Sequence, residues 1–196
     1  MPDSSTGGFL VPSSTPPATD QDLENIVQEL IVGLTGLNSD FVVPRYDPGF
    51  DNQPEVTVNW CAVSVMDVRP DPNPAIEHIS TGDGSSSLSI NERIEVLASF
   101  YGPQGQQYAG IARDGLYIPQ NNGWLKQYDM GLVTVGTVRS VPELINKQWR
   151  RRFDLPFTLR RKVSRTYSVL NLVEADLTLQ TDDTPPIVEN VDVIDS

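Results

Sequence analysis

The spacing of apolar residues predicts two helices. Between Leu23 and Leu34, six apolar residues recur at intervals of three and four, which places them on one face of a helix. We therefore expect an amphipathic helix over about residues 21–34. A second helix is expected over residues 105–118, where apolar side chains share one face and Pro119 ends the helix.

Other stretches have the patterns of strands. Residues 55–68 are apolar at nearly every position, which is typical of a central strand covered on both faces. Residues 88–100 alternate between apolar and polar, which predicts a half-buried strand antiparallel to the one before it. Two further strands are expected over residues 131–139 and 169–180.

Two connections between these elements carry local signals. Residues 69–87 contain three prolines and a Gly-Asp-Gly-Ser run, which predicts a long irregular excursion. The segment SVPEL follows the strand at 131–139. Ser140 is a helix-capping residue type, so we expect a short helical turn that ends near Lys147.

The segment from Trp149 to Tyr167, WRRRFDLPFTLRRKVSRTY, alternates along most of its length. Apolar residues at odd positions predict a long strand with a buried row, and Pro156 predicts an edge position, a bend or a bulge. Ser168 leaves room for a tight turn. We therefore expect this strand to pair with the acidic strand at 169–180 as a basic–acidic ribbon.

These elements together predict an α+β domain. The order of helix, two strands, helix and three strands favours a largely antiparallel, or mixed, sheet of about five strands with two main helices packed on it. No internal repeat is apparent in the sequence.

Both ends of the chain have the composition of extended arms. Residues 1–19 are rich in Ser, Thr, Pro and Gly, and residues 181–196 contain five carboxylates and no base. We expect the folded domain to occupy residues 20–180 between them. Each arm contains a short apolar cluster that is suited to contact a neighbouring protein, formed by Phe9, Leu10 and Val11 at one end and by residues that include Ile187 and Val188 at the other.

Composition narrows the function classes. The 196-residue chain has 26 carboxylates against 14 Lys and Arg and a net charge of −12, which argues against non-specific binding to DNA or anionic membranes as its main activity. No signal-peptide pattern or membrane-length apolar run is present, so we expect the protein to fold in a cytoplasm.

The positive charge is nevertheless concentrated in one place. Eight of the 14 Lys and Arg residues lie between Lys147 and Arg165, opposed only by Asp154. Three interpretations remain open, namely a charged protein interface, pairing within the chain, and a strip that binds nucleic acid. The residues expected to carry a protein interface are Arg150, Arg152, Arg160, Arg161 and Lys162.

The sequence offers little for catalysis, so we expect no enzyme activity, no cofactor and no metal. His78 is the only histidine and lies far in sequence from Cys61, the only cysteine, which we expect to be a buried and inert thiol. Asp71 and Glu77 lie near His78 without a recognised ligand spacing. Gly82-Asp83-Gly84 lacks the third glycine and the following helix of a dinucleotide-binding loop.

The order of these elements resembles a known family. The phrases DLENIVQELIVGLTGL, FVVPRYDP, EVTVNWCAVSVMDVRPD, SINERIEVLASFYGP and RRRFDLPFTLRRKVSRTY are similar to the neck or tail terminator proteins of tailed bacteriophages, over about residues 20–180. The resemblance implies a structural virion protein at the phage neck, assembled in the host cytoplasm. Such a subunit forms a ring, commonly a hexamer, that caps the tail tube, terminates tail growth and joins the tail to the head.

The resemblance also implies the partners. These are other copies of the same chain, the tail tube protein, the sheath where a tail has one, and the head-to-tail connector or collar protein, with DNA in transient passage through a channel and no membrane contact. Two alternatives remain, which are a collar or connector ring of different symmetry and a nucleic-acid-binding module that uses the arginine-rich strand.

Overall fold

A computed structural model of the protein describes residues 3–46, 53–145, 147–171, 174–181 and 184–192. The chain forms two compact units. The larger unit contains Pro16–Pro74 and Ser89–Val163, and the smaller one contains Met1–Thr15, Ala75–Leu88 and Ser164–Ser196. The arm boundaries expected after residue 19 and before residue 181 stay a prediction.

The described residues contain helices and strands in nearly the predicted order. The helices are α1 (Asp20–Thr35), α2 (Gly105–Leu116) and the short α3 (Pro119–Gly123), with 3-10 turns at Ser39–Phe41 and Trp124–Tyr128. The strands are β1 (Val42–Pro44), β2 (Trp60–Pro70), β3 (Ala75–Ile79), β4 (Ser85–Tyr101), β5 (Met130–Val135), β6 (Arg139–Ser140), β7 (Glu143–Ile145), β8 (Gln148–Arg150), β9 (Arg152–Tyr167), β10 (Glu174–Thr181) and β11 (Thr184–Asp192).

Seven of these strands form one mixed sheet. The order is β1-β2-β4-β9-β5, with β3 paired to β4 and β6 paired to β9. β1 runs parallel to β2, whereas β2 and β4, β5 and β9, and β6 and β9 are antiparallel. The predicted α+β class with a largely antiparallel sheet is therefore confirmed, although the sheet has seven strands rather than about five.

In the larger unit, α1 and α2 supply buried side chains to the main core. The apolar face of α1 is buried from Leu23 to Ile31, as its spacing predicts. The helix ends because Gly36 adopts a left-handed φ of 69° and its N–H bonds the carbonyl of Val32. Side chains from β2, β4 and β9, such as Val63, Phe100 and Leu159, complete this core.

The opposite face of the same sheet carries a smaller apolar cluster. Because side chains alternate along a strand, Cys61 and Val63 of β2 belong to the main core, whereas Trp60 and Ala62 point the other way. Trp60 and Ala62 form the second cluster with Val43 and Tyr101. The apolar run predicted over residues 55–68 is thus buried on both faces from Trp60 to Ser64, whereas Val56 precedes β2 and Met66 within it is 55% exposed.

Two expectations for connections are wrong. The expected excursion over residues 69–87 contains β3 and the beginning of β4, and glycines with positive φ values of 65° and 94° at Gly82 and Gly84 form the turn between these strands. The expected helical turn after Ser140 is replaced by the hairpin of β7 and β8. Glu143, the last residue of the Ser-Val-Pro-Glu signal, lies instead on β7 and pairs with Arg152 of β9.

The expected ribbon of basic and acidic strands is also wrong. β9 pairs with β4, β5 and β6, and β10 pairs instead with β11 in a separate two-stranded sheet. Partners on both edges let β9 form backbone hydrogen bonds on each side and bury its apolar face, whereas a single hairpin partner would leave one edge unpaired. The predicted strand at 169–180 is observed as β10, and its partner lies in the expected C-terminal arm.

Pro156 lies inside the sheet rather than at its edge. The pairing of β9 changes from β5 at Phe157 to β6 at Asp154, so Pro156 falls in the gap between two short partners. Its carbonyl accepts a hydrogen bond from the N–H of Gly136 at 2.8 Å. The proline, which has no N–H to donate, therefore lies where β9 changes its partner strand and the ladder of backbone hydrogen bonds is already interrupted.

Candidate protein interface

The basic segment forms β8 and β9 of the fold. Leu155, Phe157, Leu159 and Val163 are buried on β9, which confirms most of the predicted apolar row. Trp149 departs from this prediction, because it belongs to β8 and its side chain is 70% exposed. The charged residues between these positions have different environments, and only some of them face solvent.

Arg152 is the centre of an ion-pair network. Its Nε donates to Oδ1 of Asp154 at 2.6 Å, and its Nη2 donates to Oδ2 of the same carboxylate at 2.8 Å, which makes a bidentate pair. Nη1 donates to Glu143 of β7. The side chain of Arg152 is only 14% exposed, so this arginine is used inside the fold.

The same carboxylate connects the network to the central strands. Ser99 of β4 is fully buried and donates to Oδ1 of Asp154 at 2.6 Å, and Arg45 donates to the Ser99 hydroxyl. Burial by itself lowers the pKa of Arg152, but its hydrogen bonds to Asp154 and Glu143 outweigh that effect and raise the pKa above the ordinary value. Arg152 therefore stays charged at any physiological pH.

Arg161 is buried as well. It interrupts the apolar row of β9, and the structure shows why this is tolerated. Its Nε donates to Glu92 of β4 at 2.7 Å and its Nη1 donates to the carbonyl of Ala18. Only 5% of its side chain is exposed, so Arg161 ties β9 to β4 and to the start of α1.

Arg160 and Lys162 project from β9 on the exposed side. Arg160 is 52% exposed and makes a 3.1 Å pair with Asp71, which is 37% exposed. Lys162 is exposed too. An exposed pair of this kind contributes little to stability, so the two cations remain accessible to an acidic partner.

Arg150 lies at the rim of an open pocket. It donates to the carbonyl of Pro54 at 3.0 Å and to the side chain of Gln53 at 3.2 Å. The pocket has a volume of about 300 Å³. Its lining consists of Glu55, Val56, Trp60, Tyr101, Gly102, Pro103, Trp149, Arg150 and Arg151.

Aromatic rings dominate the wall of this pocket. Trp60 and Tyr101 stack with ring centroids 4.2 Å apart and an interplanar angle of 7°. Burial raises the pKa of Tyr101, with the charge of Glu143 acting in the same direction. Trp149 and Val56, 70% and 47% exposed, add accessible apolar surface. We call this site the aromatic pocket.

The predicted apolar clusters of the arms fall in the smaller unit. Phe9 is 96% exposed, Val11 is 53% exposed, and Leu10 is half-buried. Ile187 and Val188 belong to β11, where the backbone register places them opposite Leu179 and Thr178 of β10. Their side chains lie outside the described part of the molecule.

Two of the residues considered for chemistry, Asp71 and His78, have partners within the chain. His78 is exposed on β3, where its ring nitrogens hydrogen-bond Ser86 and Asn171 at 3.2 and 2.9 Å. Across the ranges that the structure describes, no group of three or more His, Cys, Asp or Glu side chains is arranged to hold a metal ion. None of the helices within those ranges has the length and apolarity needed to cross a membrane.

Cys61 is buried in the main core, as its sequence context predicts. Burial raises the pKa of its thiol well above the ordinary value. We expect Ellman's reagent to react with the native protein only at the rate of unfolding, and with the protein in guanidinium chloride within seconds. Fast labelling of the native protein would contradict the buried position.

Comparison with known sequences now identifies the family. The sequence model of the phage neck terminator protein family matches residues 21–184, which is most of the chain. The chain belongs to the phage neck terminator family. A search of curated proteins gives no match. The resemblance inferred from the order of elements over about residues 20–180 is confirmed, and a neck terminator is a structural component of the virion.

The structure of this neck terminator also shows which residues the sequence left unnoticed. Glu143 and Glu92 are the internal partners of Arg152 and Arg161, but their distance in sequence hides the pairing. The aromatic pocket was missed too. Its one available signal was Trp60 in an apolar strand, since a strand covered on both faces must find apolar partners on each.

Proposed function

We propose that this neck terminator forms a ring, with six subunits the expected number, that caps the tail tube and ends its growth. The ring would join the tail to the head connector or collar and leave a channel for DNA. The observation that carries the proposal is the family match over residues 21–184. In a closed ring each subunit uses its interfaces on its two neighbours, so the ring itself does not grow by adding further copies.

The five basic residues expected at an interface are proposed to have two roles. Arg160 and Lys162 are exposed and would contact an acidic surface of a neighbouring subunit, the tube or the connector. Arg150, Arg152 and Arg161 would act indirectly, since their hydrogen bonds within the chain hold β7, β8 and the surrounding strands in place. Such charges set orientation and partner choice more than affinity.

The internal pairing of two arginines argues against a strip that binds nucleic acid. Arg152 and Arg161 each spend their charge on carboxylates of the same chain, and the whole protein has a net charge of −12. An acidic ring repels DNA electrostatically, which suits passage of DNA without retention.

The first test is the oligomeric state of the purified protein, alone and with isolated tail tubes. We expect closed rings in negative-stain electron micrographs, seated on tube ends when tubes are present. Six subunits by native mass spectrometry would support the terminator role, and another symmetry would favour a collar or connector ring. A monomer that ignores tube ends would overturn the proposal.

The second test reverses two exposed charges. In the double variant Arg160→Glu/Lys162→Glu, we expect the free energy of unfolding to change by less than about 1 kcal/mol, because both side chains are exposed. Joined head–tail particles should fall about tenfold or more in complementation assays counted by electron microscopy.

A matched control is Arg113→Glu/Lys126→Glu, which makes the same charge change on α2 and the following 3-10 turn. Normal joining by the control and by the β9 variant alike would contradict the assigned interface. Salt-sensitive DNA binding by the wild-type protein that the β9 variant loses would instead favour the nucleic-acid alternative.

A further inference from the structure

The N-terminal segment of the smaller unit forms a loop that is fixed at both ends. The N–H of Ser4 bonds the carbonyl of Ser168 at 3.2 Å, and the N–H of Ser13 bonds the carbonyl of Thr166 at 2.8 Å. The hydroxyl of Ser4 also accepts from the N–H of Leu170 at 2.8 Å. Residues 5–12 therefore leave and rejoin the same short stretch of chain, and we call them the N-terminal loop.

An aromatic side chain stands at the tip of the N-terminal loop. Phe9 is 96% exposed, the largest value among the exposed large apolar side chains that the structure describes, and Val11 is 53% exposed. Gly7 and Gly8 adopt φ values of 67° and 84°, which turn the chain just before the phenyl ring. Because the loop is held at both ends, its backbone has less conformational freedom to lose when the ring binds.

The aromatic pocket of the larger unit has the complementary properties. It is an open pocket of about 300 Å³ with the Trp60–Tyr101 stack and the exposed Trp149 in its lining. Aromatic side chains that fill pockets are the residues that contribute most to protein interfaces. A pocket of this size accommodates a phenyl ring more readily than an extended polypeptide.

The charges of the two surfaces also match. The N-terminal loop itself has no charged side chain, and Asp3 lies at its base. The pocket is lined by two arginines, Arg150 and Arg151, against one carboxylate, Glu55. Asp3 and the excess of arginine in the pocket lining favour the approach of the two surfaces.

We propose that the N-terminal loop of one copy inserts Phe9 into the aromatic pocket of a second copy. The inference rests on the proposed ring, since two different patches on one chain make a head-to-tail contact that closes into a ring when the rotation allows it. The partner is thus a second copy of this chain, and the contact is a defined part of the subunit interface.

A mixed disulfide experiment tests the contact directly. Two preparations, Phe9→Cys with one affinity tag and Val56→Cys with another, are combined and oxidised mildly. We expect a disulfide between differently tagged chains, because Val56 is 47% exposed in the lining of the pocket. Mixtures of differently tagged wild-type chains, whose one cysteine is the buried Cys61, give the background level of cross-linking. Rings without this cross-link would overturn the inference.

Intramolecular docking is the competing arrangement. The double variant Phe9→Cys/Val56→Cys is therefore oxidised at a concentration below that of assembly. A disulfide within single chains there, without one between chains in assembled rings, would also overturn the inference.

A second readout uses side-chain removal. We expect a rise of about tenfold or more in the concentration needed for half-maximal ring assembly for each of Phe9→Ser and Trp149→Ala. The double variant should raise this concentration little further, because both changes remove the same contact. Both residues are exposed in the single chain, so folding should be unaffected. Tyr117→Ser, which removes an aromatic 59% exposed at the end of α2, is the matched control.

The outcomes separate this inference from the proposed function. If the wild-type protein never forms rings, both the proposed function and the loop-in-pocket contact are contradicted. Rings that assemble normally with Phe9→Ser and Trp149→Ala contradict the loop-in-pocket contact and leave the ring proposal intact.

Discussion

Replacement of Asp154 by alanine is expected to lower the free energy of unfolding by about 3–5 kcal/mol, because it breaks a buried ion pair and leaves the cations behind. Asp154 is 8% exposed and accepts hydrogen bonds from Arg152 and Ser99. Among the described residues, its removal leaves Glu143 as the one carboxylate that pairs with Arg152. The Ser99 hydroxyl, which accepts from Arg45, loses the carboxylate to which it donates. Urea denaturation followed by circular dichroism measures the loss.

The matched control for this variant is Asp114→Ala. Asp114 pairs with Arg113 at 2.8 Å, a distance typical of a strong pair, but the two side chains are 68% and 46% exposed. Solvent screens such a pair, so we expect a loss below about 0.5 kcal/mol. Equal losses for the two variants would show that the burial of Asp154 has no energetic effect.

Replacement of Gly102 by alanine is expected to cost about 3 kcal/mol. Gly102 follows β4 and has a φ of 98°. Residues other than glycine rarely adopt this backbone conformation, because it costs them about 1–3 kcal/mol. An added Cβ would lie 2.4 Å from the carbonyl oxygen of Val58. The backbone must then shift, which adds to the conformational cost. Thermal unfolding measures the combined effect.

Gly33→Ala gives the opposite expectation from the same substitution. Gly33 lies within α1, and a Cβ there meets no atom within 4 Å. Because glycine weakens helix interiors, we expect a gain of about 0.5–1 kcal/mol. A loss at Gly33, or an unchanged stability at Gly102, would contradict the local geometry described for each glycine.

The parts of the fold that the sequence predicted are those in which one periodic pattern covers a whole element. The three- and four-residue spacing from Leu23 gave α1 within one residue at each end. The alternation in residues 88–100 belongs to β4, and the start of β4 was missed because Ser85 to Ser87 carry no apolar signal. Periodicity records which face is buried, and it gives no direct information on the partner strand.

The partners of β9 could not be predicted for that reason. Charge along the sequence favoured pairing with the acidic strand at 169–180, but Arg152 and Arg161 find Glu143 and Glu92 instead. Those carboxylates are 9 and 69 residues away along the chain. The aromatic pocket was equally hidden, because it brings Trp60, Tyr101 and Trp149 together from three strands.

The burial of Cys61 has a consequence for the particle after release. A virion component meets oxidising conditions outside cells, where accessible thiols form adducts and cross-links between chains. The single thiol of this protein is enclosed in the main core, and its raised pKa keeps the reactive thiolate scarce. The neck subunit can therefore meet oxidising surroundings without modification of its one thiol.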